Sequence, residues 1–439
     1  MESMLHSVTL DKEKCKGCTN CIKQCPTEAI RVSKGKALIT SAKCIDCGVC
    51  ISVCPHNAKK AIVDKFDVIK SYKYKIALPA PTLYGQFKNR FSVNFILNAL
   101  TSLGFDEVYE VAKGAEIVSF VTRNLLLKGD VKKPVISSSC PAILKLIKTK
   151  FHGLIDNVLK VDAPMEVVAK MARLDIVKKL GLDPKEIGIF FITPCAAKYT
   201  AIKAPMGQAE SQVDGAIAVS EIVSLILRNL DKIEITKEYD LSGFSGINWA
   251  NSGGEGMALK TENILAVDGI HNVITILNEI EDDKLSDIDF VETMACYGGC
   301  IGGPLNFENI FVAKANLKEH LLKARNREIH YSIKELEELN EKIKWTTNLT
   351  PIDIYSLGEN ILIASKMLNE INQIYNKLPL LDCGACGAPS CRALAEDIVK
   401  GIAKESDCIF ILREKILELA SEMTELGRRL PQALNNDNR

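Results

Sequence analysis

Cys296 and Cys300 lie four residues apart in residues 292–304, among Gly298, Gly299, Gly302 and Gly303. Two thiols spaced C-x₃-C in a glycine-crowded turn suit a metal cluster better than a helix face. Glycine also lets backbone come close to a bulky object. The plainer reading is a glycine turn with two buried thiols. Two further stretches shift the balance. Residues 137–143 read SSSCPAI and hold Cys140; residues 193–201 read TPCAAKYTA and hold Cys195. Each puts one cysteine at the exit of an apolar, strand-like run, beside a proline.

The remaining cysteines extend the pattern. There are sixteen in all, and they divide into four sets of four with none left over. A cubane iron–sulfur cluster takes four thiolates. A disulfide framework is the alternative, but it belongs to small secreted chains. The six histidines are scattered and none sits at metal-ligand spacing. Near the N-terminus, Cys15-x₂-Cys18-x₂-Cys21-x₃-Cys25-Pro26 is followed by Cys44-x₂-Cys47-x₂-Cys50-x₃-Cys54-Pro55. This is the bacterial two-cluster ferredoxin run, in which the fourth cysteine of each copy serves the other cluster. One cluster then takes Cys15, Cys18, Cys21 and Cys54, and the other takes Cys44, Cys47, Cys50 and Cys25. Zinc can bind C-x₂-C pairs, but it leaves the third cysteine and the proline without a reason. Short strands at 7–10, 30–32 and 37–39 flank the copies.

The last set is Cys383-x₂-Cys386-x₄-Cys391-x₁₆-Cys408. It resembles a small cubane-binding domain found in electron-transfer and corrinoid-related proteins, with Gly387, Pro389, Ala395 and Gly401 at matching positions. Two apolar series flank it. Ile354, Leu357, Ile361, Ala364, Leu368, Ile371, Tyr375 and Leu378 form the first; Ile409, Leu412, Ile416, Leu419, Met423, Leu426 and Leu430 form the second. Both step three-four-three-four, the seam of a coiled coil. They fit a hairpin within one chain or a four-helix bundle across a dimer equally well.

The elements that must position these residues are legible in outline. At 439 residues, 47% hydrophobic and 25% charged, the chain has an ordinary globular balance and room for several domains. We expect a ferredoxin-like domain over 1–70, a domain over 71–350 carrying Cys140, Cys195, Cys296 and Cys300, and a helical domain over 351–439. Strands are expected at 76–78, 107–111, 135–137, 187–192 and 215–218. Helices are expected at 93–103, 114–127 (ending near Gly129) and 221–230 (after Ser220 as N-cap). Such alternation predicts an α/β fold with mostly parallel strands and ligands at their carboxyl ends. Residues 252–256, SGGEG, fit a turn near that site or a plain surface loop. Residues 316–350, with a helix over 332–343, read as a solvated connector. A formal net charge of zero gives nucleic-acid binding no electrostatic support. No signal-peptide region or membrane-length apolar run is evident, so a cytoplasmic protein is expected.

The three single-loop motifs resemble the signature loops of the catalytic domain of [FeFe]-hydrogenases, written roughly TSCCPxW, MPCxxKxxE and ExMACxxGCxxGG. The resemblance covers most of residues 75–315. It implies that Cys140, Cys195, Cys296 and Cys300 hold the cubane half of the H-cluster, with Cys300 bridging to a two-iron half. That half carries CO, cyanide and a bridging dithiolate once maturation proteins supply it. By the same resemblance Lys198 hydrogen-bonds one cyanide, the Ala80-Pro81-Thr82 turn approaches the other, and Met294 packs beside the two irons. With the ferredoxin and C-terminal sets this makes four [4Fe-4S] clusters.

The chain also departs from catalytic members. They place a proton-shuttling cysteine where this chain has Ser139, and a serine hydroxyl has no accessible pKa. Their relay carboxylates become Thr122 and Leu125 on the helix after Phe105-Asp106. Thr193 and Ala201 replace a methionine and a glutamate of the second loop, and the third loop ends in Gly302-Gly303-Pro304. The cluster ligands therefore persist and the proton path is expected to be lost. This resembles the sensory [FeFe]-hydrogenases of the group often called D, with no PAS domain expected. The implied activity is slow, reversible H₂ oxidation and proton reduction, with electrons relayed to an unidentified redox or signalling protein by a homodimer. Two alternatives stand beside it: a non-catalytic protein like the hydrogenase-related cluster-assembly factors, and an electron carrier for a larger oxidoreductase.

Overall fold

The run Ile187–Thr193, IGIFFIT, is buried at every position, as a strand covered on both faces must be. It anchors the fold of a computed structural model that describes residues 5–88, 90–129, 131–327, 338 and 341–429. In chain order the strands are β1 (Val8–Leu10), β2 (Ile30–Ser33), β3 (Lys36–Ile39), β4 (Lys59–Ala61), β5 (Tyr74–Pro79), β6 (Glu107–Val108), β7 (Val135–Ile136), β8 (Ile187–Thr193), β9 (Gly215–Ala218), β10 (Ile264–Asp268) and β11 (Phe290–Met294). The helices are α1 (Asn20–Lys23), α2 (Val49–Ser52), α3 (Val93–Ser102), α4 (Val111–Lys128), α5 (Pro141–Lys150), α6 (Pro164–Leu180), α7 (Ala196–Lys203), α8 (Val219–Arg228), α9 (Phe244–Asn248), α10 (Gly254–Leu259), α11 (Ile270–Glu281), α12 (Ile310–Ala324), α13 (Ile361–Lys377), α14 (Cys391–Val399) and α15 (Ile409–Arg428). None of them is long and apolar enough to cross a membrane.

The chain forms two compact units. One holds the N-terminal residues through Thr9, Ser41–Ser52 and Lys59–Ile354; the other holds Leu10–Thr40, Val53–Ala58 and the chain from Tyr355 onward. The first unit is α/β, as the alternation predicts. A four-stranded sheet runs β6-β5-β8-β9 and a three-stranded sheet runs β10-β11-β7, and every pairing within them is parallel. Leu78 lies opposite Phe191, and Met294 opposite Asp268. Helix ends follow local chemistry. Ser92 caps α3 by accepting from the Phe95 N–H at 3.1 Å, and Gly129 closes α4 at φ 73°, where a side chain would be strained.

Two expectations change in detail. Residues 107–111 were expected as one strand, but β6 stops at Val108 and Val111 already opens α4. Ser220 does not cap α8: Ala218 holds the N-cap position, and the Ser220 N–H donates to the Leu305 carbonyl at 2.9 Å. The connector reading of 316–350 needs amending too. The helix expected at 332–343 falls mostly outside the described residues, while Ile343 and Leu349 are buried.

In the second unit β2 and β3 pair antiparallel around Lys34–Gly35, both at positive φ, as a two-residue hairpin turn requires. The C-terminal cysteine loop seats on this hairpin. The Val32 N–H donates to the Gly387 carbonyl at 2.8 Å, and a Cβ at Gly387 would come within 1.9 Å of the Val32 carbonyl oxygen. Arg31 clamps Asp397 through two hydrogen bonds, 2.6 and 3.2 Å. α13 buries Ile371 against α14 residues such as Leu394. No residue of α15 is buried, and Ile416, Leu419 and Met423 are 55%, 58% and 73% exposed. The two heptad seams therefore do not cover each other as a hairpin. Leu430, the last position of the second seam, lies outside the described residues.

Candidate metal centre

Three cysteines stand at the carboxyl ends of parallel strands. Cys140 follows β7 and caps α5; Cys195 follows β8 and caps α7; Cys296 follows β11 by two residues. Proline at the first position of α5 fits a helix start because its missing N–H needs no partner there. The two helix N-termini favour negative charge, so they suit thiolates. Thr193 fixes the second loop: its hydroxyl accepts from the Cys195 N–H at 3.0 Å and donates to the Cys195 carbonyl at 3.1 Å. Glycine in the third loop serves protein packing. A Cβ at Gly299, at φ +93°, would meet the Ser252 nitrogen at 2.5 Å, and one at Gly303 would meet the Pro194 carbonyl at 2.4 Å.

These loops close on a cavity of about 100 Å³ lined by Cys140, Cys195, Cys296 and Cys300. Lys198, Met294, Ala80, Pro81 and Thr82 reach the same wall, so the site residues named from sequence converge. The Lys198 ammonium donates to the Ser139 carbonyl at 3.0 Å. Burial pushes three of the thiols up, Cys195 to about 11, Cys300 to about 12 and Cys296 likewise upward, and neighbouring cysteines of the set add repulsion. Thiols so placed do not ionise unaided; a positively charged metal group reverses that preference. The Thr82 hydroxyl is fully buried and has no hydrogen-bond partner among the described residues, which fits a ligand acceptor such as an iron-bound cyanide. The donor set thus fits a thiolate-held cluster with a polar two-iron half.

Cys47 also lines this cavity. Its loop is fixed by Asp46, which is fully buried and accepts from the Lys145 ammonium at 2.5 Å, the Thr200 hydroxyl at 2.9 Å and the Ser7 N–H at 2.8 Å. The Cys44, Cys47 and Cys50 set therefore stands beside the Cys195 helix within the first unit. Cys15, Cys18, Cys21, Cys25 and Cys54 lie in the second unit, as do Cys383, Cys386, Cys391 and Cys408. Three of the last four share one apolar cluster, Cys386, Cys391 and Cys408; Cys383 bears electrostatically on Cys386, and Asp382 accepts from the Cys391 N–H at 2.6 Å. None of the sixteen cysteines forms a disulfide.

The surroundings of Ser139 hold a group that the sequence reading did not place there. Ser139 donates to Glu255 Oε2 at 3.0 Å, and Ser137 donates to the same oxygen at 2.7 Å. Glu255 is 1% exposed. Burial, and then the charge of Glu292, push its carboxyl up to about 8. Glu292 on β11 is itself buried and raised, although it accepts from the Gly253 and Gly256 N–H groups at 2.8 Å. A carboxylic acid thus stands behind Ser139 after all. It comes from α10 rather than from α4, where Thr122 only bonds back to the Val118 carbonyl. The SGGEG run is a helix start at the site, not a surface loop. One signal could have found the pair: a glutamate inside the apolar strand FVETM has to be buried, and buried carboxylates need partners.

Comparison with known proteins agrees with this geometry. Residues 73–254 and 228–304 match the family described as the iron only hydrogenase large subunit, in its C-terminal domain. Residues 7–55 match a 4Fe-4S dicluster domain, and residues 378–410 match an Fe–S cluster family. Iron hydrogenase 1 of Clostridium pasteurianum is 23% identical over 408 residues, 73% of this chain and 71% of that protein. The periplasmic [Fe] hydrogenase large subunit of Nitratidesulfovibrio vulgaris is 27% identical over 363 residues, 68% of this chain and 86% of that one. A solved [FeFe]-hydrogenase, studied for oxygen inactivation of its H cluster, superposes with a TM-score of 0.50 at 16% identity, over 64% of this chain and 95% of the other. That likeness is one of fold.

Proposed function

The chain belongs to the iron only hydrogenase family through the C-terminal domain of that family's large subunit, and from that premise we propose a sensory [FeFe]-hydrogenase that turns over slowly. Cys140, Cys195, Cys296 and Cys300 would hold the H-cluster, which when bound supplies the interconversion of H₂ with two protons and two electrons. Lys198 and Thr82 would orient the polar ligands of its two-iron half, and Met294 would exclude water. Ser139 would accept a proton at Oγ while handing its own to Glu255 Oε2. The Glu255–Glu292 pair can hold a proton near neutral pH, because two buried carboxyls do not both ionise. A serine is a weak link, since proton transfer is efficient when the donor's pKa lies near the working pH; slow turnover follows.

The hydrogen bond from Ser139 to Glu255 carries this reading. It gives the site a proton acceptor that a cluster-assembly protein would have no use for. Electrons would pass through the Cys47 cluster, whose ligand lines the same cavity, and onward through the other cubanes. The four C-terminal cysteines would add a fourth cluster, and the exposed seam of α15 supports a homodimer in which a second copy covers it. The proposed compartment is the cytoplasm, with a redox or signalling protein as the outlet.

Infrared spectroscopy of diiron-loaded protein tests the proposal. Iron-bound CO and cyanide bands that shift under H₂ are expected. A protein that never takes up the two-iron half under conditions that load a catalytic relative is instead the non-catalytic alternative.

A further inference from the structure

A second cavity, of about 380 Å³, opens between α4, α9, α10 and the end of α12. Its size is that of a small-ligand site. Its lining is strongly cationic: among the described residues Arg123, Lys260, Arg325 and Arg327 face one acidic residue, Glu116. Among the described residues Arg123, Arg325 and Arg327 make no ion pair; Arg123 lies over the Phe120 ring at 5.3 Å. Guanidinium groups gathered at one cavity suit a phosphate. Two flat apolar side chains, Phe120 and Phe244, form part of the wall.

The inner end of the cavity is polar and incompletely satisfied. Glu116 is 1% exposed. Its Oε1 accepts from the Gly243 N–H at 2.8 Å and from the Ser245 hydroxyl at 3.4 Å, the Gly246 N–H also bears on the carboxyl, and among the described residues its buried Oε2 has no well-formed hydrogen bond. Asn248, also buried, directs its Nδ2 at the Met257 sulfur, 3.7 Å away, with no other acceptor among the described residues, and a thioether is a weak acceptor. One unmatched acceptor and one poorly matched donor thus sit beside aromatic walls, with cations at the mouth.

We propose that this cavity binds a purine nucleotide, its base between the phenylalanines with an N–H on Glu116, and its phosphate on the arginines. The Asn248 amide would serve a ring nitrogen or carbonyl of the base. The site is placed to regulate. Gly254, Met257 and Ala258 of α10 line it, and Glu255 of the same helix accepts from Ser139. A ligand that shifts α10 would shift the proton acceptor; this consequence rests on the proton route above, whereas the binding itself does not.

Isothermal titration of the anaerobically reconstituted full chain with guanosine and adenosine 5′-monophosphates is the test, and it needs no diiron loading. One of the two should bind saturably, one per chain, more tightly than inorganic phosphate by about tenfold or more. Arg123→Glu and the surface double variant Arg325→Glu/Arg327→Glu should each weaken the nucleotide by about tenfold or more with unchanged cluster absorbance. Glu116→Gln should weaken the nucleotide and leave phosphate unaffected. Absence of saturable binding up to about 1 mM overturns the proposal. So does phosphate binding as tightly as nucleotide, or surface variants that bind as wild type does.

Discussion

The loops around Cys140, Cys195 and Cys296 and the helix α15 are both carried by strong sequence patterns, and the chain treats them in opposite ways. The three loops are pinned by strand ends, helix starts and buried side-chain bonds within one unit. α15 repeats an apolar seam over 20 residues and buries none of them. The loop pattern is answered by the chain's own packing, whereas the described residues leave the seam of α15 uncovered. Substitutions in the loops should therefore alter cofactor and chemistry, and substitutions in the seam should alter assembly alone.

The largest effect is expected at the loops. Cys300→Ser should remove the cubane of this site, lowering iron by about four per chain after reconstitution and preventing diiron uptake. Retention of the full iron content would mean that Cys300 is not a ligand. Next comes the seam. Ile416→Glu with Leu419→Glu should convert the proposed dimer to monomer in sedimentation, with cluster absorbance unchanged. A wild type that already sediments as monomer breaks the comparison at its weaker end.

A smaller effect concerns pH. The Glu255 carboxyl is raised in the fold, so the native state holds its proton more tightly than the unfolded chain. Its stabilisation is full below the unfolded carboxyl range and is lost as pH rises through about 8. Glu255→Gln, which carries no proton to lose, should gain stability relative to wild type across that window. The slope should approach about 1.4 kcal/mol per pH unit. Parallel melting profiles of the two proteins from pH 5 to 9, within about the same error, would show that Glu255 is not held protonated.

Much of this was readable in the chain. β8 is an unbroken apolar run, and the cysteine spacings brought Cys140, Cys195, Cys296 and Cys300 to one cavity together with Lys198, Met294 and Thr82. The Ser139–Glu255 contact was not readable, because Glu255 reaches Ser139 across 116 residues and its run looks like any glycine turn. β10 and β11 were hidden for a related reason: Asp268, Glu292 and Thr293 interrupt their apolar pattern. The choice between hairpin and exposed seam also lay beyond periodicity. Both give the same three-four repeat, and only the packing of α13 on α14 separates them.

The central claim is that protons reach the metal centre through Ser139 and Glu255. H₂ evolution from a low-potential reductant, measured on wild type and Glu255→Gln at equal diiron loading by infrared, tests it most directly. The account predicts a fall of about 10²–10⁴-fold in the variant, with cyanide and CO bands in place. A variant that evolves H₂ as fast as wild type would contradict it.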